Sequence, residues 1–191
     1  MKAKTFHVPQ VLRSFRRDRR GVSAIEFALL APLMIGLYIG CVEISDGVAA
    51  DRKVTLTAGT LANLTAQTQT LDTTVMNNIL NASTSVMKPY TTGPLTAKVS
   101  CLKIDAGGVA KVAWGAATAN ATPRAAGDAV TIPSALAVPN SSLVFSEVSY
   151  IYAPVTGYTG FSHITGPITL SDVMYMSPRV TPPVYNGTAC S

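Results

Sequence analysis

One apolar run, Val22 to Ile44, constrains this chain more than any other feature of its sequence. Glu26 and Glu43 enclose 16 consecutive residues without a charge, and the flanking turns extend the run to 23 residues. An α-helix needs about 20 such residues to cross the hydrocarbon core of a bilayer. The run therefore predicts a helix that crosses a membrane once, and residues 45–191 contain no second run of this kind.

Positive charge is concentrated immediately before this run. Residues 1–20 carry seven basic side chains and one acidic one, so the net charge of +5 comes from the N-terminus and the remainder is slightly acidic. A basic segment before a membrane helix predicts a cytoplasmic N-terminus and translocation of residues 45–191. A nucleic-acid interface would need basic residues in the folded part, so we expect no nucleic-acid partner.

Two other interpretations of the apolar run are open. A secretory signal peptide could end at Val48-Ala49-Ala50, although a long tail before the apolar core and a glutamate in its first turns fit that class poorly. A lipoprotein signal could end at Gly40-Cys41, but Tyr38 stands where an aliphatic residue is expected. A carboxylate in a membrane helix costs about 2.5–3.5 kcal/mol at the centre and less near the interface, so a functional role is the default interpretation of Glu26. The alternative is a glutamate that merely snorkels to the interface.

Residues 19–27, Arg-Arg-Gly-Val-Ser-Ala-Ile-Glu-Phe, resemble the cleavage region of type IV prepilins. In that class a prepilin peptidase cuts after the glycine, and the glutamate is the fifth residue of the mature chain. The resemblance implies cleavage between Gly21 and Val22, which makes residues 1–21 a leader, and a role for Glu26 and Phe27 in assembly. After cleavage the α-ammonium of Val22 and Glu26 would lie at i and i+4 on one helix face, or would pair between subunits.

More narrowly, residues 21–47 are similar to the N-terminal segment of the TadE/TadF-like pseudopilins of the Tad (tight adherence) pilus. A weaker similarity lies at residues 147–154 and 175–179, where Ser177 replaces a frequent arginine. The resemblance implies a minor pseudopilin that is not an enzyme and needs no cofactor. Its partners would be the peptidase, other pilins and the assembly platform of the bacterial inner membrane. The C-terminal domain would be periplasmic or incorporated into a cell-surface pilus.

Beyond the membrane the apolar pattern stays helical and then changes to a period of two. One helix is expected from Val22 to about Ala66, and a second between Asp72, as N-cap, and Pro89. A hairpin turn is expected at 105–108 and a loop at 182–187, with strands at residues 95–104, 109–114, 129–132, 143–153 and 168–176. This is an α+β, pilin-like plan. It comprises a transmembrane helix at 22–44, a periplasmic helical stalk at 45–90 and a small antiparallel β-sheet domain at 91–191.

Side chains that could carry chemistry are few. Cys101 and Cys190 fall in the translocated part, where an oxidising compartment would let them pair, and two independent thiols are the alternative. We find no motif for a metal site, and His163 is more simply a loop residue than a catalytic base.

Gly36 and Gly40 form a GxxxG pattern in the apolar run, which would let another helix approach closely. The alternative is that small residues are simply common in membrane helices. The resemblance to pseudopilins implies assembly by helix packing. The main alternative function is a membrane-anchored periplasmic binding domain or enzyme that keeps residues 1–21.

Overall fold

The computed structural model describes residues 21–154, 166–179 and 181–190. The chain divides into two compact units, with the boundary between Ile44 and Ser45. Both contain part of α1 (Val22–Gln67), so the predicted end near Ala66 is confirmed to within one residue. In the first unit every large apolar side chain of α1 is exposed. Such a surface is suited to lipid or to other helices and not to water, and α1 is long and apolar enough to cross a membrane.

The second unit begins with the remainder of α1, which buries one face only. The buried positions recur at intervals of three and four residues, as expected for an amphipathic helix. They are mostly small or β-branched: Ala50, Val54, Thr57, Ala58, Leu61, Ala62, Thr65 and Ala66. Small side chains let the helix backbone approach the sheet, and the Ser146 hydroxyl donates a hydrogen bond to the Ala58 carbonyl at 2.9 Å.

A short strand, β1 (Thr70–Leu71), leads into α2 (Thr73–Met87). The predicted N-cap is confirmed, because the carboxylate of Asp72 accepts the backbone N–H of Val75 at 2.7 Å. The helix ends before Pro89, as predicted, since proline cannot continue the backbone ladder.

The antiparallel sheet is confirmed and has five strands in the order β4-β3-β2-β5-β6. The strands are β2 (Leu95–Ile104), β3 (Ala110–Ala117), β4 (Ala129–Val130), β5 (Ser142–Tyr152) and β6 (Ile168–Met176). A hairpin joins β2 to β3 at the predicted turn. Its Asp105 carboxylate accepts the N–H groups of Gly107 and Val109, both at 2.9 Å.

Alternation along the strands gives the sheet two apolar faces. One face packs on α1 and α2 through residues such as Val99, Val144 and Val148. The other face holds a smaller cluster, including Leu102 and Phe145, which is covered by the connection between β3 and β5.

The prediction of a plain loop at 182–187 was wrong. This segment contains β7 (Val184–Tyr185), which pairs parallel to β1, and a hairpin leads from it into β8 (Thr188–Ala189). The turn residues Asn186 and Gly187 have positive φ angles of 48° and 83°, which is the backbone that an Asn-Gly hairpin turn requires. The Asn-Gly pair in the sequence indicates a hairpin turn. However, β1, with which β7 pairs, lies at the other end of the domain's sequence.

Candidate functional site

The candidate cleavage site lies at the start of α1. Gly21 is exposed and Val22 is the first residue of the helix. Glu26 follows one turn later and is exposed as well, so the helix carries the i and i+4 spacing on which the predicted ammonium–carboxylate pair depends. Phe27, beside it, exposes 69% of its surface.

A single helix face brings several of the predicted assembly residues together. At about 100° per residue, Val22, Glu26, Gly36 and Gly40 fall within an arc of about 80°. A Cβ built on either glycine would meet no atom within 4 Å among the residues that the structure describes. Packing within this part of the chain therefore does not explain the two glycines, whereas close approach of another helix would.

A carboxylate between two tyrosines lies just beyond the apolar run. Asp46 accepts a hydrogen bond from the Tyr90 hydroxyl at 2.9 Å through Oδ1 and another from the Tyr152 hydroxyl at 2.9 Å through Oδ2. Burial, together with the hydrogen bond to Asp46, raises the pKa of Tyr90 to about 12. This cluster fixes α1 to the segment after α2 and to the end of β5.

A second set of contacts fixes the other end of α1. The C-terminal strap, of which residues 177–179 and 181–190 are described, passes this end, where Arg179 donates its backbone N–H to the Ala66 carbonyl at 3.1 Å. The strap finishes at Cys190, which forms a disulfide with Cys101 of β2. The two cysteines singled out in the sequence thus lie together at the buried end of the strap.

The outer face of the sheet carries an ion pair that the sequence did not indicate. Arg124 donates two hydrogen bonds to the Glu147 carboxylate, at 2.6 and 2.8 Å, and its guanidinium carbon lies 5.5 Å from the centre of the Phe145 ring. Hydrogen bonding to Glu147 raises the pKa of Arg124 above its ordinary value. The pair joins the connection after β3 to β5, which carries Glu147. Neither side chain faces a reacting group in the described part of the chain.

The structure does not bring catalytic groups together within the residues that it describes. No group of three or more histidine, cysteine or acidic side chains suited to a metal ion occurs within 21–154, 166–179 or 181–190. His163 lies outside these ranges. The sequence did not predict the clusters around Asp46 and Arg124. Each joins residues that are far apart in sequence, and no local sequence pattern predicts such contacts.

A protein family described as TadE-like protein matches residues 21–62. The match begins at Gly21 and covers the apolar run and most of α1, while the sheet lies outside it. The family resemblance predicted from the sequence is confirmed for this segment. No curated protein and no solved structure matches the chain.

Proposed function

We propose that this chain is a minor pseudopilin that a prepilin peptidase cleaves between Gly21 and Val22. The match of residues 21–62 to the TadE-like family, which suggests a Tad pilus-associated protein, supports this proposal. In this proposal α1 anchors the protein in the bacterial inner membrane, with residues 45–191 in the periplasm. The helix then packs with other pilins and with the assembly platform, and the protein catalyses no reaction of its own.

The observation that carries the proposal is the coincidence of two boundaries at the start of α1. The family match begins at Gly21 and the helix begins at Val22, and the large apolar side chains of the helix from Val22 to Ile44 are exposed. An apolar helix surface of this length must be covered by lipid before assembly and by protein after it. Glycine has no side chain beyond a hydrogen, so a glycine at this junction would fit into a narrow peptidase site.

Intact mass spectrometry of the protein from a host that contains the peptidase tests the cleavage. Wild type is expected to begin at Val22, and Gly21→Val is expected to keep residues 1–21. The matched control is Gly36→Val, which makes the same change within the helix and should still be cleaved. Wild-type protein that begins at Met1 or at Asp51 would refute the proposal and would favour the membrane-anchored binding domain or enzyme.

Glu26 is the second element of the proposed mechanism. An exposed carboxylate near the end of a membrane helix reaches water by snorkelling, but a helix packed in a bundle loses that route and needs a cation nearby. Cleavage would create such a cation, the α-ammonium of Val22, one turn away on the same chain or on a neighbouring one.

Replacing Glu26 by glutamine keeps the shape of the side chain and removes its charge. We expect Glu26→Gln to insert into the membrane at least as well as wild type, to be cleaved at least in part, and to co-isolate with pilus components at a reduced level. Glu43→Gln makes the same change at the other end of the apolar run and should co-isolate like wild type. Undiminished co-isolation of Glu26→Gln would show that Glu26 has no part in assembly.

A further inference from the structure

A polar cavity of about 490 Å³ lies where the end of β2, the turn before β5 and the C-terminal strap meet. This volume is in the range of small-molecule sites. Lys103 is the charged side chain of its lining, and the hydroxyl and amide groups are those of Asn140, Ser141, Ser142, Ser177 and Thr181. No carboxylate belongs to the lining within the described residues, so the cavity is suited to an anion that also carries hydroxyl groups.

Lys103, which lines the cavity, has a second lysine beside it on the neighbouring strand. The register between β2 and β3 sets Lys103 directly opposite Lys111. Residues that are directly opposite share one face of the sheet, with Cβ atoms about 4.5–5.5 Å apart, and like charges in this arrangement destabilise the fold. The ion pair found in the described part of the chain is Arg124–Glu147. No ion pair there offsets the repulsion between Lys103 and Lys111.

Nearby acidic groups are engaged elsewhere. The Asp105 carboxylate, two residues after Lys103, is occupied by the backbone N–H groups of its own turn. The Asp128 carboxylate accepts the N–H of Ala125 at 3.0 Å. These hydrogen bonds hold both carboxylates in their own turns, and neither forms an ion pair with Lys103 or Lys111 within the described residues, so a bound anion could approach the two lysines.

The walls of the cavity are held in place before any ligand arrives. The Ile104 N–H donates to the Ser141 carbonyl at 2.9 Å, and the Ser141 hydroxyl donates to the Val138 carbonyl at 2.7 Å. The Cys101–Cys190 disulfide fixes the strap on the opposite side. A site with fixed walls loses less conformational entropy on binding, which favours affinity for a small ligand.

We propose that this cavity binds a small, hydroxyl-bearing anion of the size of a monosaccharide, such as an acidic sugar or a sugar phosphate. Lys103 contacts the anionic group and Lys111, opposite it in register, adds positive charge beside the site, while the serine, threonine and asparagine side chains exchange hydrogen bonds with the sugar hydroxyls. This binding activity goes beyond pilus assembly and does not depend on cleavage after Gly21. The cavity is lined by Ser142 at the start of β5, whereas Asp46 contacts Tyr152 at the other end of that strand.

Three small ligands that share a glucose ring test the proposal on the full chain in lipid nanodiscs. Glucuronate carries a carboxylate, glucose 6-phosphate carries a phosphate, and glucose carries no charge, so comparing them by NMR or calorimetric titration isolates the anionic group. We expect saturable binding of at least one of the two anions and at least tenfold weaker binding of glucose. The preferred anion distinguishes a carboxylated from a phosphorylated ligand.

Charge variants identify the residues responsible. Lys103→Gln and Lys111→Gln should each weaken binding of the preferred anion by about tenfold, and Lys103→Arg should retain it. Lys98→Gln is the matched control, since Lys98 lies on the same strand outside this cavity and pairs in register with Glu147. Without ligand, Lys103→Gln should melt at or above the wild-type temperature, because it relieves the repulsion with Lys111. Binding of neither anion, equal binding of glucose, or unchanged binding by Lys103→Gln overturns the proposal.

Discussion

Replacing Asp46 by alanine should destabilise residues 45–191 more than any other change of one exposed or half-buried side chain on α1. The carboxylate accepts the hydroxyls of Tyr90 and Tyr152, each at 2.9 Å, and these two hydrogen bonds join α1 to two distant parts of the domain. The substitution removes both bonds and leaves the buried Tyr152 hydroxyl without this acceptor.

The size of the effect follows from the kind of hydrogen bond. A hydrogen bond to a charged group contributes about 1.5–3 kcal/mol to the free energy of unfolding. Because Asp46 and Tyr90 are only half-buried, solvent screens part of this, and we expect a total loss of about 2–3 kcal/mol. For a domain of this size such a loss lowers the melting temperature by roughly 4–12 °C.

Thermal unfolding of the full chain in detergent micelles, followed by near-ultraviolet circular dichroism, measures the effect. Trp114 and most of the tyrosines lie outside the apolar run, so this signal reports on the folded domain. The matched control is Asp51→Ala, which removes an exposed carboxylate from the same helix and should change the free energy of unfolding by less than about 0.5 kcal/mol. If Asp46→Ala melts within 2 °C of Asp51→Ala, the two hydrogen bonds do not hold the helix in place.

Two further predictions concern the same domain. Cys190→Ser opens a loop whose ends are 89 residues apart in sequence, so the free energy of unfolding should fall by up to about 4–5 kcal/mol in urea titrations; a wild type that responds equally to urea with and without reductant would contradict this. The pKa of Tyr90 is raised from its ordinary value of 10.0 to about 12, so the folded state favours the protonated hydroxyl; its contribution to stability should be intact below pH 10 and be lost between pH 10 and 12. Tyr90→Phe should show a smaller loss over that interval in pH-dependent melting, and an identical loss would assign it to other groups.

The fold could be predicted from the sequence wherever neighbouring residues determine the structure. The apolar run, the Asp72 cap and the alternation in β2 each act over one or two turns of chain, and each was predicted within a few residues of its observed bounds. The parallel pairing of β7 with β1 could not be predicted, because two-residue strands carry no periodicity. Their position depends on hydrogen bonds such as that from the Val184 N–H to the Gln69 carbonyl at 2.9 Å.

The candidate site divides in the same way. Gly21, Glu26 and Gly36 could be singled out because the interpretation of each depends on spacing along a single helix, and their roles stay predictions. Asp46 could not, since an acidic residue just after a membrane helix is ordinary in sequence, and its two hydroxyl partners come from residues far along the chain. The pairing of Lys103 with Lys111 needs the exact register of a hairpin, which the bulge between Cys101 and Leu102 shifts.

One continuous helix meets two different environments, and its sequence changes at the boundary between them. From Val22 to Ile44 large apolar side chains point in every direction, so no face is reserved for the protein's own core. From Ser45 to Gln67 the apolar positions narrow to one face and become small, because that face must lie close to a sheet while the rest meets water. A helix that only anchored the domain would need no surface beyond contact with lipid. The open GxxxG face and the exposed Glu26 are the features that such an anchor does not require, and they are the ones that assembly by helix packing would use.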